Sequence, residues 1–162
     1  VVMRSFRLSA VITWLLISAY MFASLVGMLG ITGFFVTFVT GLNLDPWLFV
    51  LLVLVIVFVL GMFMDTGPIA VILLPIFMPV VLKLGIDPLW FCLLFTIDMI
   101  VGTLTPPFGM TLFIMKGLGI TGVSMMDIYR SIIPFVLAML AALVLCAIFP
   151  SLVLWLPEQM LG

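Results

Sequence analysis

Residues 46–64 contain no Asp, Glu, Lys or Arg, and the run is about as long as the roughly 20 apolar residues that cross a bilayer core. Other stretches of the chain share this character. An ordinary soluble domain is about 25% charged, whereas this one is 7% charged and 67% hydrophobic. Its charges are Arg4, Arg7, Asp45, Asp65, Lys83, Asp87, Asp98, Lys116, Asp127, Arg130 and Glu158, too few to solvate a folded surface. The fold class that follows is all-α, a polytopic integral membrane protein.

The same composition removes whole classes of chemistry. The chain has no histidine, which excludes Ser-His and Cys-His triads, haem ligation through His and His-based zinc sites. Cys92 and Cys146 lie far apart inside apolar runs and read as small buried hydrophobes. A net charge of −1 with scattered cations leaves no basic patch for nucleic acid. No metal cofactor or prosthetic group is implied. Arg4 and Arg7 precede an apolar run of transmembrane length, which reads as an uncleaved first span. The start at Val1, without a linker, fits the tail of a longer protein.

Residues 8–29 make that first span. Residues 31–43 are too short to cross and suit an interfacial helix. Asp45-Pro46-Trp47 then opens the next segment with an N-cap, a first-turn proline and an interfacial aromatic. That segment runs to Asp65-Thr66-Gly67-Pro68, turns, and continues through Pro75 and Pro79 to Lys83-Leu84-Gly85. The opening signal recurs at Asp87-Pro88-Leu89-Trp90. The helix it begins extends to Lys116 but is cut by Gly102-Thr103-Leu104-Thr105-Pro106-Pro107-Phe108-Gly109. Ser124 with Asp127 has capping-box spacing and leads a short polar helix over 122–131. The last span covers 132–155, closed by Trp155 and Pro157.

The positive-inside rule tests the sidedness of these segments. If residues 46–82 leave on the side they entered, Arg4, Arg7, Lys116 and Arg130 share one face and Lys83 stands alone on the other. If those residues cross only once, the cations divide almost evenly. An even number of crossings, as two spans or a re-entrant hairpin, fits better.

A break in a helix within lipid costs several kcal/mol for each unsatisfied backbone group, so it persists only where protein or water covers it. A proline removes the N–H that would bond the carbonyl four residues earlier. Pro106 and Pro107 therefore release the carbonyls of Gly102 and Thr103, and Pro68 releases that of Met64. Carbonyls at the end of a half-helix suit a cation such as sodium, and the next half-helix N-terminus, near Phe108 to Met110, suits an anion. Thr66, Thr103, Thr105 and Thr111 bring hydroxyls to the same places. Paired short helices plus a broken helix are the pattern of a secondary transporter with a midplane site.

Asp65 and Asp98 are acids set in apolar sequence, where ionisable groups are costly. Asp65, at the turn, fits a helix cap as well as a site. Asp98 stands two helical turns before Thr105 and faces the same way, which favours an ion-linked or proton-linked role over a structural pairing. Neither has the Gly-x-Gly-Asp setting of an intramembrane aspartyl protease.

Gly61-Met62-Phe63-Met64-Asp65 followed by Leu74-Pro75-Ile76-Phe77-Met78-Pro79 resembles the second hairpin of the large membrane subunit of TRAP (tripartite ATP-independent periplasmic, DctM-like) transporters. Gly85-Ile86-Asp87-Pro88 and the run from Gly102 to Gly109 resemble that family's next two signatures in the same order. Pro134-Phe135, Phe149-Pro150 and Leu156-Pro157 also fit. The resemblance implies an elevator-type importer of organic anions, commonly C4-dicarboxylates or sialic acid, with sodium as coupling ion. It implies the inner membrane of a bacterium or archaeon. The partners implied are a small membrane subunit and a periplasmic substrate-binding protein.

Only the second of two inverted repeats is matched: scaffold 8–29, arm 31–43, re-entrant hairpin 46–82, discontinuous helix 89–116, arm 122–131 and last span 132–155. The first repeat of the large subunit is then a further partner. The implied ion and substrate site comprises Gly61, Met64, Asp65, Thr66, Gly67, Pro68, Asp98, Gly102, Thr103, Thr105, Pro106, Pro107 and Gly109. Sodium is assigned to the carbonyls of Met64, Gly102 and Thr103. An acid at Asp98 departs from the Asn often found there. A divalent-anion:sodium symporter of the same superfamily is disfavoured by the Asp65-Thr66-Gly67 tip, where Ser-Asn-Thr is usual. A non-transporting membrane scaffold, its breaks mere kinks, is the reading from another class.

Overall fold

The computed structural model describes residues 2–42, 44–106, 111–112, 115 and 124–161. The elements run α1 (Val2–Met28), α2 (Ile31–Gly41), α3 (Pro46–Phe63), α4 (Thr66–Lys83), α5 (Pro88–Leu104), α6 (Met125–Ile148) and α7 (Pro150–Leu161). The fold is all-α, and α3, α4 and α6 are each long and apolar enough to cross a membrane. A fourth crossing is available if the bent pair Tyr20–Met28 and Gly33–Gly41, at 63°, is one span. Several apolar crossings make the chain a polytopic membrane protein.

The helix boundaries follow from local chemistry. Asp45 accepts a hydrogen bond from Trp47 N at 2.8 Å, and Asp87 accepts one from Trp90 N at 2.9 Å. Pro46 and Pro88 occupy first-turn positions where a missing N–H costs nothing. At Ser124 both halves of a capping box are present: Asp127 N donates to Ser124 Oγ and Ser124 N donates to Asp127 Oδ2. Helix α4 ends at Gly85, whose φ of 70° is left-handed. Ile86 N reaches back to Val81 O and Gly85 N to Leu82 O, the paired bonds that close a helix on a glycine.

Helices α3 and α5 run parallel and pack along their length. Near their starts the rings of Trp47 and Trp90 meet edge to face with centroids 5.4 Å apart. Between the ends, Val50, Val53 and Val57 of α3 and Phe91, Leu94 and Phe95 of α5 are buried. Helix α4 folds back from α3 and adds Phe77, Val80 and Val81 to the same core. Phe77 meets Phe49 of α3 and Phe35 of α2.

The C-terminal part is divided differently from the expected arm at 122–131 and last span at 132–155. One helix, Met125–Ile148, passes through Pro134, and the break comes at Phe149. Pro150 has no N–H for the carbonyl of Cys146, and that carbonyl instead accepts the Trp90 indole Nε1–H at 2.8 Å. The bond ties the end of α6 to the start of α5, so the two helices are antiparallel. Trp155 and Pro157 do not end the last helix, which continues to Leu161.

Candidate functional site

The parallel course of α3 and α5 brings their C-terminal ends together, and with them the α3–α4 tip and the α5 break. The decisive contact is between two glycines. A Cβ on Gly61 would lie 3.0 Å from Gly102 Cα and 3.2 Å from Met99 O. A Cβ on Gly102 would lie 2.9 Å from both Gly61 Cα and Phe58 O. Helices approach this closely only where side chains are absent. Gly61 and Gly102 were expected in the site. They are brought together in the structure, and what they do there is let two backbones touch.

At the tip, α3 stops at Phe63 and Met64 N bonds Leu60 O at 2.9 Å. Asp65 then caps α4, its Oδ1 accepting from Thr66 N at 2.8 Å. Thus the capping role is realised, while the second carboxylate oxygen remains for another partner. Met64, Asp65, Gly67 and Pro68 are exposed and Thr66 is half-buried, so the tip is open to solvent or to a neighbour.

At the break, the hydrogen bonds of α5 are rearranged. The Gly102 carbonyl, expected to be free, is not. With no N–H on Pro106, it accepts from Thr105 N at 3.0 Å, one residue short of the helical register. That shift removes Thr105 N from Val101 O, and the Thr105 hydroxyl takes its place at 2.7 Å. Thr103 Oγ1 similarly donates to Ile100 O at 2.9 Å. Each hydroxyl spends its proton on its own helix and keeps lone pairs for a cation or donor. The Gly102 carbonyl likewise keeps a second lone pair. Thr103 is 6% exposed, whereas Thr105 is half-buried and Pro106 exposed. Pro107 and Gly109 of the expected site, with Phe108, Met110 and Lys116, lie outside the described residues.

Beyond the break a cavity of about 570 Å³ is lined by Leu104, Met115, Asp127, Ile128, Ser131, Ile132, Phe135 and Met139. It lies between the end of α5 and the first turns of α6, so the break adjoins open space. Asp98, one turn before Gly102 on the buried face of α5, is 3% exposed, and its Oδ2 has no hydrogen-bond partner among the described residues.

The chain matches, over residues 1–152, the family described as Tripartite ATP-independent periplasmic transporter, DctM component. The chain belongs to this family. It is 31% identical over 158 residues to the C4-dicarboxylate TRAP transporter large permease protein DctM of Pseudomonas aeruginosa, covering 98% of this chain and 36% of that protein. Against the protein of the same name from Rhodobacter capsulatus it is 32% identical over 158 residues, with the same coverage of each. It is 34% identical over 110 residues to the 2,3-diketo-L-gulonate TRAP transporter large permease protein YiaN of Escherichia coli, covering 68% of this chain and 25% of that one. Measured against the two DctM proteins, the chain spans 36% of the relatives' length. No solved structure matches it. The DctM family is one of transporter permeases, not of enzymes.

Within this DctM chain, two relationships escaped the sequence reading. The Trp90–Cys146 bond follows from the proline rule already applied at Pro68, Pro106 and Pro107, since Phe149-Pro150 releases a carbonyl in the same way. The pairing of Gly61 with Gly102 had no such local signal. It depends on the register of α3 against α5, which only the packed structure supplies.

Proposed function

We propose that this chain forms one ion and substrate half-site of a TRAP-type permease that imports organic anions by sodium symport. The observation that carries the reading is the convergence of the α3–α4 tip with the α5 break at the Gly61–Gly102 contact. The two interruptions that flank this contact carry the hydroxyls of Thr66, Thr103 and Thr105, the carboxylate of Asp65 and carbonyls near two helix ends. Sodium, as cargo, would take oxygen atoms of Met64, Gly102, Thr103 and the threonine hydroxyls. The anion would be held by N–H groups following Pro106, with further groups from the rest of the large subunit. The relatives' names carry C4-dicarboxylates, a diketogulonate and isethionate, carboxylates and a sulfonate, and this supports an organic anion as substrate.

The assembled protein would include the first repeat of the large subunit, a small membrane subunit and a periplasmic binding protein, in a bacterial or archaeal inner membrane. Residues 46–82 would act as a re-entrant hairpin entering from the periplasmic face, and α5 as the first half of a discontinuous helix. The test is uptake of labelled C4-dicarboxylate into vesicles holding the full-length permease and both partners. Uptake should require a sodium gradient, and Thr103→Ala with Thr105→Ala should raise the sodium concentration for half-maximal rate at least tenfold. Unchanged sodium dependence in the double variant overturns the site assignment, and sodium-independent uptake overturns the coupling.

A further inference from the structure

Among the described residues no hydrogen bond or ion pair compensates Oδ2 of Asp98, and the residue is buried on α5. The helices packed against α5 are α3, α4, α6 and α7. Helix α3 carries no titratable residue. Helix α4 has Lys83 in its last turn and Asp65 at its cap. Helix α6 has Asp127, Tyr129 and Arg130 in its first two turns and Cys146 in its last, and α7 has Glu158. On α5 itself the other such groups are Cys92 and the cap, Asp87.

The packing fixes the level at which α6 passes Asp98. Trp90 bonds Cys146 at one end, and Leu104 shares a cavity with Ile128 and Ile132 at the other. Asp98 is therefore opposite the apolar middle of α6, away from Arg130 and Tyr129. Beside it on α3 stands Val57, fully buried. A cation would need further oxygen ligands within reach of Oδ2, but Thr96 is exposed and bonds Cys92 O, while Thr103 and Thr105 stand more than a helical turn further along, at the break. Oδ2 is already enclosed, so a side chain from elsewhere has no room to reach it. A proton needs no room.

We propose that Asp98 is a proton-binding group of this permease, neutral while α5 is packed as described and deprotonated to water when the break at Thr105 opens during transport. Asp98, Gly102 and Thr105 follow one another along one face of α5, so opening at Thr105 is the shortest route for water to the acid. The release step rests on the transporter reading above, whereas the neutral state does not.

Two measurements on the full-length permease separate these parts. At neutral pH the infrared spectrum of the purified protein should contain a carboxylic-acid carbonyl stretch that Asp98→Asn removes and Asp98→Glu retains at a shifted position. A spectrum unchanged by Asp98→Asn overturns the proposal. In vesicles with both partner proteins, wild-type uptake should change by up to about tenfold per pH unit, the limit for one proton. The Asp98→Asn variant should lose that slope, whatever its remaining rate. Equal slopes in both overturn proton release, with sodium dependence left standing. An Asp98 band together with sodium-independent uptake overturns the coupling reading and leaves the neutral acid supported.

Discussion

Gly102 presents its Cα to Gly61 so closely that a methyl group on Gly102 would sit 2.9 Å from Gly61 Cα and 2.9 Å from Phe58 O. Both obstacles are backbone atoms of α3, which cannot rotate away as a side chain would. The contact also stands between the two interruptions that make up the candidate site, so whatever separates α3 from α5 here also separates the tip from the break.

Gly102→Ala should therefore destabilise the protein by about 1–3 kcal/mol, the range for overpacking a close contact. Gly61→Ala should cost somewhat less, its nearest neighbour being 3.0 Å away. Gly33→Ala is the control: nothing lies within 4 Å of its Cβ position, and replacing a helical glycine should gain about 0.4–1 kcal/mol. Thermal unfolding of the detergent-solubilised full-length protein checks the order. Equal stability of Gly102→Ala and Gly33→Ala would remove the close approach from the account.

Trp90 joins α5 to α3 through its ring and to α6 through its indole N–H. Trp90→Phe keeps an aromatic ring but removes the donor to Cys146 O together with part of a buried ring system. Since Pro150 cannot serve that carbonyl, loss of the donor should cost about 1 kcal/mol. Trp47→Phe removes no hydrogen bond found among the described residues and should cost less. The comparison is again a melting experiment, and a larger loss at Trp47 would show that ring packing, not the indole bond, holds this end.

How much of this was legible in the sequence depended on the range of the interaction. Asp45, Asp87, Ser124 and Gly85 act within a few residues of themselves, so their spacing announces the helix ends they make. The apolar runs likewise announce crossings, because lipid leaves backbone groups no partner outside the helix. The division at Phe149 was read too far along, at Trp155 and Pro157. Pro157 lies within a helix that tolerates it, whereas the carbonyl that Pro150 leaves open is bonded from another helix. At the break, counting prolines identified the carbonyls left without a helical donor. It did not foresee that Thr105 would serve one of them, Gly102 O, with its N–H and then replace that N–H at Val101 O with its hydroxyl.

Thr105 therefore separates two roles that one substitution to alanine would mix. Thr105→Ser keeps the hydroxyl bonded to Val101 O and should leave stability within about 0.5 kcal/mol. Thr105→Val preserves the side-chain shape and leaves Val101 O without that donor, which should cost about 1–3 kcal/mol. Sodium dependence should follow the hydroxyl, normal in the serine variant and weakened in the valine variant. If serine fails as badly as valine in uptake while melting normally, the methyl group rather than the oxygen is what the site requires.

Asp65 poses the same question at the tip, and there the cap provides the separation. Its Oδ1 accepts from Thr66 N at 2.8 Å, a bond that an Asn side chain makes equally well at an N-cap. Asp65→Asn should thus melt within about 0.5 kcal/mol of the wild type, while Asp65→Ala should lose about 1 kcal/mol. Asn keeps the capping oxygen but replaces the second carboxylate oxygen and the charge with an NH2 donor. A raised sodium requirement for uptake in Asp65→Asn, at unchanged stability, would therefore report a carboxylate acting on the ion. Unchanged sodium dependence in Asp65→Asn would assign Asp65 to the start of α4 alone and leave the cation to Met64, Gly102, Thr103 and Thr105.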